Sequence, residues 1–310
     1  MKKILLGAML LTGTSLFAQD SAKTETPKPN PFSFSGYVEA FYQYDFNKPT
    51  DNNRPGFIYS HNRHNEFNLN LGFLKGSYNA ERVRANLAIA AGTYMNANYA
   101  AETGVLKNVY EANAGLKISK KKNLWIDAGI FSSHIGFESA VSKDCWTLTR
   151  SILADNSPYF ESGAKLTYTS DNNKWLVSGL VLNGWQRIKR VDANSLMSYG
   201  TQLQYKPNSN ITLNYSTFIG TDKPDSARLW RYFHNVYGVI NVTGKFGITA
   251  GFDIGSEQKT KGSNDFNTWY SPVLILKYAV TPKWTVAARG EYYDDKYGVI
   301  IAGGTPNGFK

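Results

Sequence analysis

Charged side chains recur at every second position in several segments of this chain of 310 residues. Arg82 and Arg84 alternate with apolar residues in "ERVRANLAIA", and Arg289 and Glu291 lie on one parity of "KWTVAARGEYY". A period of two places such residues on one face of a β-strand. A row of fixed charges on a sheet face acts on ions and polar solutes through its electrostatic field.

Residue types that carry catalysis or bind metals form no recognisable pattern in the sequence. His61 and His64 belong to "HNRH", without the neighbouring cysteine or carboxylate pattern of a metal site. Serine and histidine residues are scattered, and no diagnostic Ser/His motif is present. We therefore expect no catalytic residues, no metal and no cofactor. The segment "ARLWRYFH" combines Arg228 and Arg231 with aromatic residues on an external loop. It either binds a sugar or a lipid phosphate or forms an aromatic girdle.

Alternation of apolar and polar residues is the main feature of the sequence between these charges. In "EFNLNLGFLKGSYNAERVRANLAIA", the apolar parity first holds Phe67, Leu69, Leu71 and Phe73. After Tyr78–Glu81 the alternation resumes with Val83, Ala85, Leu87 and Ile89. The pattern predicts a hairpin with one apolar face and one polar face.

The same pattern predicts thirteen strands in a single domain, without an intervening helical domain. The predicted strands are 35–46, 66–78, 82–94, 108–118, 124–131, 159–169, 174–187, 197–206, 210–220, 232–243, 245–257, 269–280 and 283–294. "KWLVSGLVL" and "PVLILKYAV" are apolar on both parities, so the pattern does not assign which of their residues face inward.

Connections between these strands alternate between short and long. The predicted short turns are 79–81, 119–123, 170–173, 207–209, 244 and 281–282. The predicted long loops are 47–65, 95–107, 132–158, 187–196, 221–231 and 258–268. An up-and-down meander then has all its short turns on one rim, as outer-membrane barrels do. Trp125, Trp175 and Trp284 follow short turns, where an interfacial aromatic girdle is expected. The sequence therefore predicts an all-β fold, a transmembrane antiparallel up-and-down β-barrel.

Export is predicted by the first residues. Lys2 and Lys3, an apolar run and "LFAQ" have the order of a secretory signal, so we predict a signal peptide at 1–18. We expect a flexible periplasmic lead-in at 19–34 and the barrel at 35–310. The net charge of +10 loses Lys2 and Lys3 with the signal, which leaves +8 spread along the chain. Without a concentrated basic tract, nucleic acid is a poor partner. Cys145 is the only cysteine, so no intramolecular disulfide can form.

Strand parity assigns the two faces. We predict that Val83, Leu87, Trp284 and Val286 face lipid, and that the opposite parity faces a water-filled lumen. The predicted pore-lining residues are Glu39, Glu66, Arg82, Arg84, Glu111, Lys117, Asp127, Lys165, Asp253, Arg289 and Glu291. Both signs of charge occur, which favours a transverse field or lumenal ion pairs over a filter of one sign.

The segment 132–158 is the longest predicted internal connection. "SAVSKDCWTLTRSILADN" has helical spacing at Val141, Cys145, Leu148 and Ile152, with Ser142 as a candidate cap. Long loops in compact folds are usually functional or disordered. Folded into the barrel, the loop would bring Glu138, Lys143, Asp144 and Arg150 across the pore, and the alternative is an external lid.

The chain resembles the OmpL-like β-barrel porins of Gram-negative outer membranes. The resemblance lies in the signal ending "LFAQ", in "FSGYVEAFYQYDF" and in "GIFSSHIGFESAVSKDCWTLTRSILADNSPYFESGAKLTY". It covers most of the chain and implies a diffusion porin without catalytic residues. One departure is the odd number of strands, because single-chain bacterial barrels close with an even number. We expect a C-terminally incomplete sequence and about 14–16 strands in the whole protein, unless one strand is miscounted.

Three functions fit the sequence, and they differ in what fills the barrel. A porin has an open lumen, a structural or adhesive barrel has a filled one, and a barrel enzyme has a plugged one with a Ser/His pair. The strand count favours passive diffusion of small hydrophilic solutes. The net charge of +8 adds a weak anion preference at most, because salt screens it. The expected partners are outer-membrane lipid and small hydrophilic solutes or ions, and an oligomer is compatible with this reading.

Overall fold

The computed structural model describes residues 30–302 and 308–310. The predicted signal peptide and residues 19–29 of the predicted lead-in lie outside these residues. The first strand begins at Phe32, so the end of the predicted lead-in belongs to the sheet. This difference has a local reason, because Phe32 and Phe34 already alternate with serine and lie exposed on one face.

Thirteen antiparallel strands form one sheet in which each strand pairs with its neighbours in sequence. The strands are β1 Phe32–Tyr42, β2 Phe67–Asn79, β3 Val83–Ala91, β4 Val109–Lys117, β5 Asn123–Ser132, β6 Phe160–Thr169, β7 Trp175–Leu182, β8 Ser198–Asn208, β9 Ile211–Gly220, β10 Arg231–Asn241, β11 Phe246–Gln258, β12 Phe266–Thr281 and β13 Trp284–Glu291. The antiparallel up-and-down architecture predicted from the sequence is confirmed. Within the described residues β1 and β13 do not pair with each other, so this sheet is not closed.

Helices are short and lie in the connections. They are α1 Thr93–Asn98 and α2 Ile152–Asp155, with 3-10 turns at Gly104–Asn108, Ser142–Asp144 and Asp225–Ala227. In the part of the chain that the structure describes, no helix has the length and apolar character needed to cross a membrane.

Connection length alternates along the whole sheet. The short turns are 80–82, 118–122, 170–174, 209–210, 242–245 and 282–283, and the long loops are 43–66, 92–108, 133–159, 183–197, 221–230 and 259–265. Hydroxyls stabilise several of the short turns: Ser119, Thr243 and Thr281 each accept two backbone N–H bonds. Because successive strands are antiparallel, all short turns lie on one rim and all long loops on the other.

One face of the sheet is apolar and exposed. Val38 is 78% exposed, Leu87 57%, Trp284 71% and Val286 61%. Trp175 is also exposed and stacks on Tyr205. In an outer-membrane barrel such residues form the lipid-facing band.

A β-bulge in β2 changes the predicted facing of that strand. Glu39 pairs with Leu71 and the next residue, Ala40, pairs with Leu69, so Asn70 is the additional residue. The bulge reverses the parity, because Phe67 is 88% exposed whereas Leu71 is fully buried. The prediction that Leu71 and Phe73 share the lipid face with Phe67 is therefore wrong.

Long-range contacts fix this bulge. The side-chain oxygen of Asn70 accepts the backbone N–H of His61, and its amide donates to Glu39. Gly92 approaches the Asn70 backbone so closely that a Cβ would collide with it, and Gly92 has a φ of 128°. The bulge is therefore held by the loops at the rim.

Trp125 also faces the other way from the prediction. Its ring lies under the guanidinium of Arg84, with 4.3 Å between Cζ and the ring centre. Asp127, which has the same parity, is 4% exposed. Trp125 therefore belongs to the inner face, and Trp175 and Trp284 are the turn-side tryptophans on the outer face.

Candidate pore and its internal loop

Ion pairs on the inner face reach across an intervening strand. Lys75 of β2 contacts Glu111 of β4 at 2.5 Å, and Arg84 of β3 contacts Asp127 of β5. Small residues occupy the strand between each pair. Ala88 pairs with both Lys75 and Glu111, and Gly115 pairs with both Arg84 and Asp127. A Cβ on Gly115 would collide with the Asp127 carboxylate, so this glycine leaves the room that the ion pair needs.

We expect Arg84→Met to lower the free energy of unfolding by about 2–3 kcal/mol. The Nε and Nη2 atoms of Arg84 donate to both oxygens of Asp127, whose carboxylate is otherwise buried and would lose its counter-charge. Urea unfolding of the chain folded in lipid vesicles measures the loss.

Two variants control this measurement. Lys122→Met breaks an exposed pair with Asp171 and should cost far less, because solvent screens both charges. Adding Asp127→Asn to Arg84→Met should restore part of the loss, because no buried charge remains. Equal losses in the Arg84 and Lys122 variants would contradict the buried-pair argument.

The loop 133–159 lies against the inner face at both ends of the sheet. The Ser142 hydroxyl donates to Glu39 of β1. On β13, Arg289 donates to the carbonyl oxygen of Thr149 at 2.6 Å, and Glu291 accepts the backbone N–H of Ile152 at 2.7 Å. One short segment therefore contacts the first and last strands, and the sheet curves around it.

Strands between these ends contact the same loop. Ser157 donates to Asp253 of β11 at 2.8 Å, and the backbone N–H of Gly136 donates to Asn235 of β10. The ring of His134 contacts Glu161 of β6 and the Thr217 carbonyl of β9, at 2.9 and 2.8 Å. The loop thus crosses the interior and contacts the wall on several sides.

The loop lacks the helix that its spacing predicts. Only the 3-10 turn Ser142–Asp144 and the single turn α2 are helical, and the Ser142 side chain binds Glu39 instead of capping a helix. Ser151 is the residue that caps α2, by accepting the Ala154 N–H. Leu148, expected on the apolar side, is 79% exposed. Hydrogen bonds between the wall strands and single loop residues hold the backbone in a path that is not a continuous helix.

Two of the four predicted constriction charges bind groups of the loop itself. The guanidinium of Arg150 is 4% exposed and donates to the carbonyls of Ser139, Ala140 and Leu148. Glu138 accepts the backbone N–H and the hydroxyl of Ser151. Burial raises the pKa of the Glu138 carboxyl. The prediction that Glu138 and Arg150 extend across the pore is therefore wrong, since both hold the loop together.

Lys143 and Asp144 are exposed on the 3-10 turn of the loop. They are the two predicted constriction charges that remain available to solvent.

Asp155 joins this loop to the loop 43–66. Its carboxylate accepts the Tyr59 N–H, the Ser60 hydroxyl and the Tyr159 hydroxyl. The neighbouring Asn156 donates to the Phe57 carbonyl. Burial raises the pKa of Asp155 to about 6, although these hydrogen bonds and Arg150 act in the opposite direction.

This pKa predicts that acid stabilises the attachment of the loop. The folded pKa of about 6 exceeds the ordinary 3.8, so the folded state binds the proton more tightly. The stabilisation is fully present below pH 3.8 and is lost as the pH rises through 6. We expect Asp155→Asn to remove up to about 3 kcal/mol of this pH dependence.

Thermal unfolding of wild type and variant between about pH 3 and about pH 8, a range that brackets both pKa values, measures the difference. The comparison isolates Asp155 because both chains share every other titrating group. Identical pH profiles would contradict this assignment.

The other predicted pore-lining residues lie at different heights between the short-turn rim and the long-loop rim. Lys165 faces inward with its Nζ 4.5 Å from the Phe131 ring centre. Lys117 ends β4 at the short-turn rim, and Arg82 is an exposed turn residue that donates to the Lys117 carbonyl. Glu66 precedes β2 at the long-loop rim and pairs with Arg63. Arg82 and Glu66 therefore lie at the rims, outside the strands.

Several cations at the long-loop rim have acidic partners. Lys189 pairs with Asp192, and Arg228 pairs with Asp225. Arg231 is 8% exposed, pairs with Glu257 and lies beside the rings of Trp185 and Trp269. Arg231 is therefore an interior residue of the wall, and not part of an exposed phosphate site.

A cavity of about 370 Å³ lies among the long loops. Its lining includes Asp155, Trp185, Arg187, Asp222 and Arg231, so acidic and basic groups share it. A second cavity, of about 230 Å³, lies on the short-turn side and is lined by Arg84, Trp125 and Lys165 among others.

Lys75 is an inner-face cation that strand parity in the sequence does not identify. Parity counted from Phe67 assigns it to the lipid face, but the bulge at Asn70 turns it inward, where it meets Glu111. The available signal was Leu74, an apolar residue on the opposite parity from Leu71.

Comparison with known families gives a match over most of the chain. The model of the family described as "Putative beta-barrel porin-2, OmpL-like" matches residues 31–310. No curated protein matches the chain.

Similar solved structures are outer-membrane proteins. A loop-deletion mutant of OmpT from Vibrio cholerae is 8% identical, with a TM-score of 0.45, 85% of this chain and 94% of that chain covered. In-vitro folded OmpT of Vibrio cholerae is 10% identical, with a TM-score of 0.41 and coverage of 86% and 88%. A NanC porin is 11% identical, with a TM-score of 0.31 and coverage of 85% and 87%. These sequence identities and TM-scores are low, so the family assignment rests on the family model.

Proposed function

Because the chain belongs to the OmpL-like β-barrel porin family, we propose that it is a passive diffusion pore of the outer membrane. Small hydrophilic solutes cross through a water-filled lumen that the loop 133–159 narrows. The proposal includes no catalytic step.

The observation that carries this proposal is the position of that loop. It contacts β1, β6, β9, β10, β11 and β13 from the inside, through Ser142, His134, Gly136, Ser157 and Thr149. A loop fixed to the wall on several sides leaves a restricted passage that selects solutes by size. Such a narrowing suits a pore for small solutes.

Weak ion preference is the second part of the proposal. Lys75, Arg84 and Arg289 each pair with a carboxylate on the inner face, and Lys189 and Arg228 do so at the long-loop rim. Paired charges contribute little field at a distance, and salt screens the remainder over about 8 Å. The surplus of +8 expected after removal of the signal therefore produces weak anion preference at most.

Swelling of liposomes that contain the folded chain tests the pore. We expect rapid entry of a pentose, slower entry of a hexose and little entry of a trisaccharide, because the loop limits size. Reversal potentials in a salt gradient should deviate slightly from zero toward the equilibrium potential of the anion. Strong cation selectivity would overturn the charge argument.

An interior apolar cluster favours one second candidate, a structural or adhesive barrel that acts through its external loops. Leu180, Leu182, Phe218, Phe233 and Trp269 are all nearly fully buried within the sheet's interior. A lumen filled at this level would admit no solute. Liposomes that fail to swell with every sugar, although the chain is folded, would favour this candidate.

A further inference from the structure

We propose that the short-turn side of the lumen contains a binding site for a small oxyanion, a carboxylate or a phosphate, at Lys165 and Arg84. The site is the cavity of about 230 Å³, and its lining includes Arg84, Trp125, Lys165, Thr167, Ser178 and Gln202. The inference deepens the proposed function by naming a class of solute, and for its biological meaning it rests on that function.

Lys165 supplies a cation without a direct counter-ion. Its Nζ lies over the Phe131 ring, and within the described residues no carboxylate forms an ion pair with it. The nearby carboxylates are already engaged, since Asp127 binds Arg84 and Glu161 binds His134. A half-buried cation in this situation is stabilised by any anion that enters the cavity.

Arg84 presents its remaining donors to the same space. Its Nε and Nη2 bind Asp127, and the planar guanidinium then directs Nη1 away from that carboxylate. Trp125 lies against the guanidinium and fixes its plane. Charge-assisted donors in fixed positions suit a carboxylate or phosphate.

The rest of the lining is neutral. Thr167 and Ser178 contact each other through their hydroxyls at 3.0 Å, so one hydroxyl hydrogen is left for a ligand. Among the described residues that line the cavity there is no aspartate or glutamate. The lining therefore favours a negative ligand over a positive one.

Size and position fit a small solute that passes through. The volume corresponds to roughly seven water molecules, enough for an acetate or phosphate ion. Asn123 and Thr169, the last pair of the β5–β6 ladder, line the cavity at the short-turn rim. At the other end Gln202 donates to the His134 carbonyl, where the internal loop begins. The cavity thus extends from the loop to the rim.

Binding of ¹³C-labelled acetate to the full chain in detergent micelles tests the site, with NMR line broadening as the readout. We expect the acetate signal to broaden in the presence of the chain and to sharpen again when inorganic phosphate displaces acetate. The signal of acetamide, which has the same shape without the charge, should not broaden. Lys165→Met should weaken acetate binding about tenfold or more, and Lys165→Arg should retain it.

Lys277→Met is the matched control. Lys277 is also an inward cation over an aromatic ring, Trp146, but it lies outside this cavity. Its removal should leave acetate binding within about twofold of wild type, since it is not a contact of the anion. Equal losses of acetate affinity in the two variants would mean that acetate responds to the general positive charge of the lumen and not to a specific site. That result would overturn the proposal.

The remaining outcomes also decide the matter. Acetamide that binds as acetate does, or full binding in Lys165→Met, overturns the site. If Lys165→Met does not fold, the wild-type comparison of acetate with acetamide and the Lys165→Arg variant still decide it. Binding without conductance would retain the site and reject the pore, whereas conductance without acetate binding would do the reverse.

Discussion

Deleting residues 140–154 increases the single-channel conductance severalfold, because this segment occupies the interior of the sheet. Ser142 binds Glu39 on one side, and Thr149 binds Arg289 on another. Trp146 packs on Gly247, where a Cβ would collide with its ring. Removing the segment replaces side chains with water along the passage. Conductance steps in planar bilayers measure the change.

A deletion in another loop controls for the loss of chain length. The loop 259–265 lies at the rim, where Lys261 donates to the Asp225 carbonyl. Removing 260–264 should leave the conductance as in wild type. Unchanged conductance after removal of 140–154 would make that loop an external lid.

Leu87→Arg destabilises the folded chain in lipid vesicles by about 2–4 kcal/mol, the cost of a cation near the midplane on the lipid face. Leu87 is the central residue of β3 and is 57% exposed on the apolar outer face. Urea titration of the vesicle-inserted chain measures the loss.

Asn86→Arg is the control on the same strand. Asn86 faces inward, where it contacts Ser77 and Asn113, so the new cation would lie beside water and polar groups. The expected cost is about 1 kcal/mol, from the lost hydrogen bonds. A larger loss for Asn86→Arg than for Leu87→Arg would mean that the faces are reversed.

Strand order and connection length could be predicted from the sequence because both depend on local patterns. Alternation of residues such as Val83, Leu87 and Ile89 identifies a strand wherever one face is apolar. The turn residues Ser119, Thr243 and Thr281 stabilise the short connections within a few positions of the chain. These features require no knowledge of distant contacts.

The facing of β2 after Asn70 could not be predicted in the same way. The bulge depends on the hydrogen bond that the His61 N–H donates to Asn70 and on the one that Asn70 donates to Glu39, and both partners belong to other elements. Because one additional residue reverses the parity of every later position, parity counted from Phe67 places Lys75 on the wrong face. Trp125 was misplaced for a related reason, since its contact with Arg84 joins separate strands.

The path of the internal loop could not be predicted from local sequence patterns either. Its spacing at Val141, Cys145 and Leu148 indicates a helix, yet contacts with Glu39 and Arg289 hold the backbone in another path. A sequence pattern describes the preference of a segment, whereas a loop inside a barrel follows the wall that surrounds it. Arg150, which binds carbonyls within the loop, accordingly stabilises this path.

Single-channel recording of the full chain in planar bilayers tests the central claim most directly. A water-filled lumen narrowed by the loop 133–159 predicts discrete conductance steps that are linear in voltage and grow with salt concentration, with a reversal potential only slightly toward the anion. A folded, membrane-inserted chain that gives no steps would contradict the account.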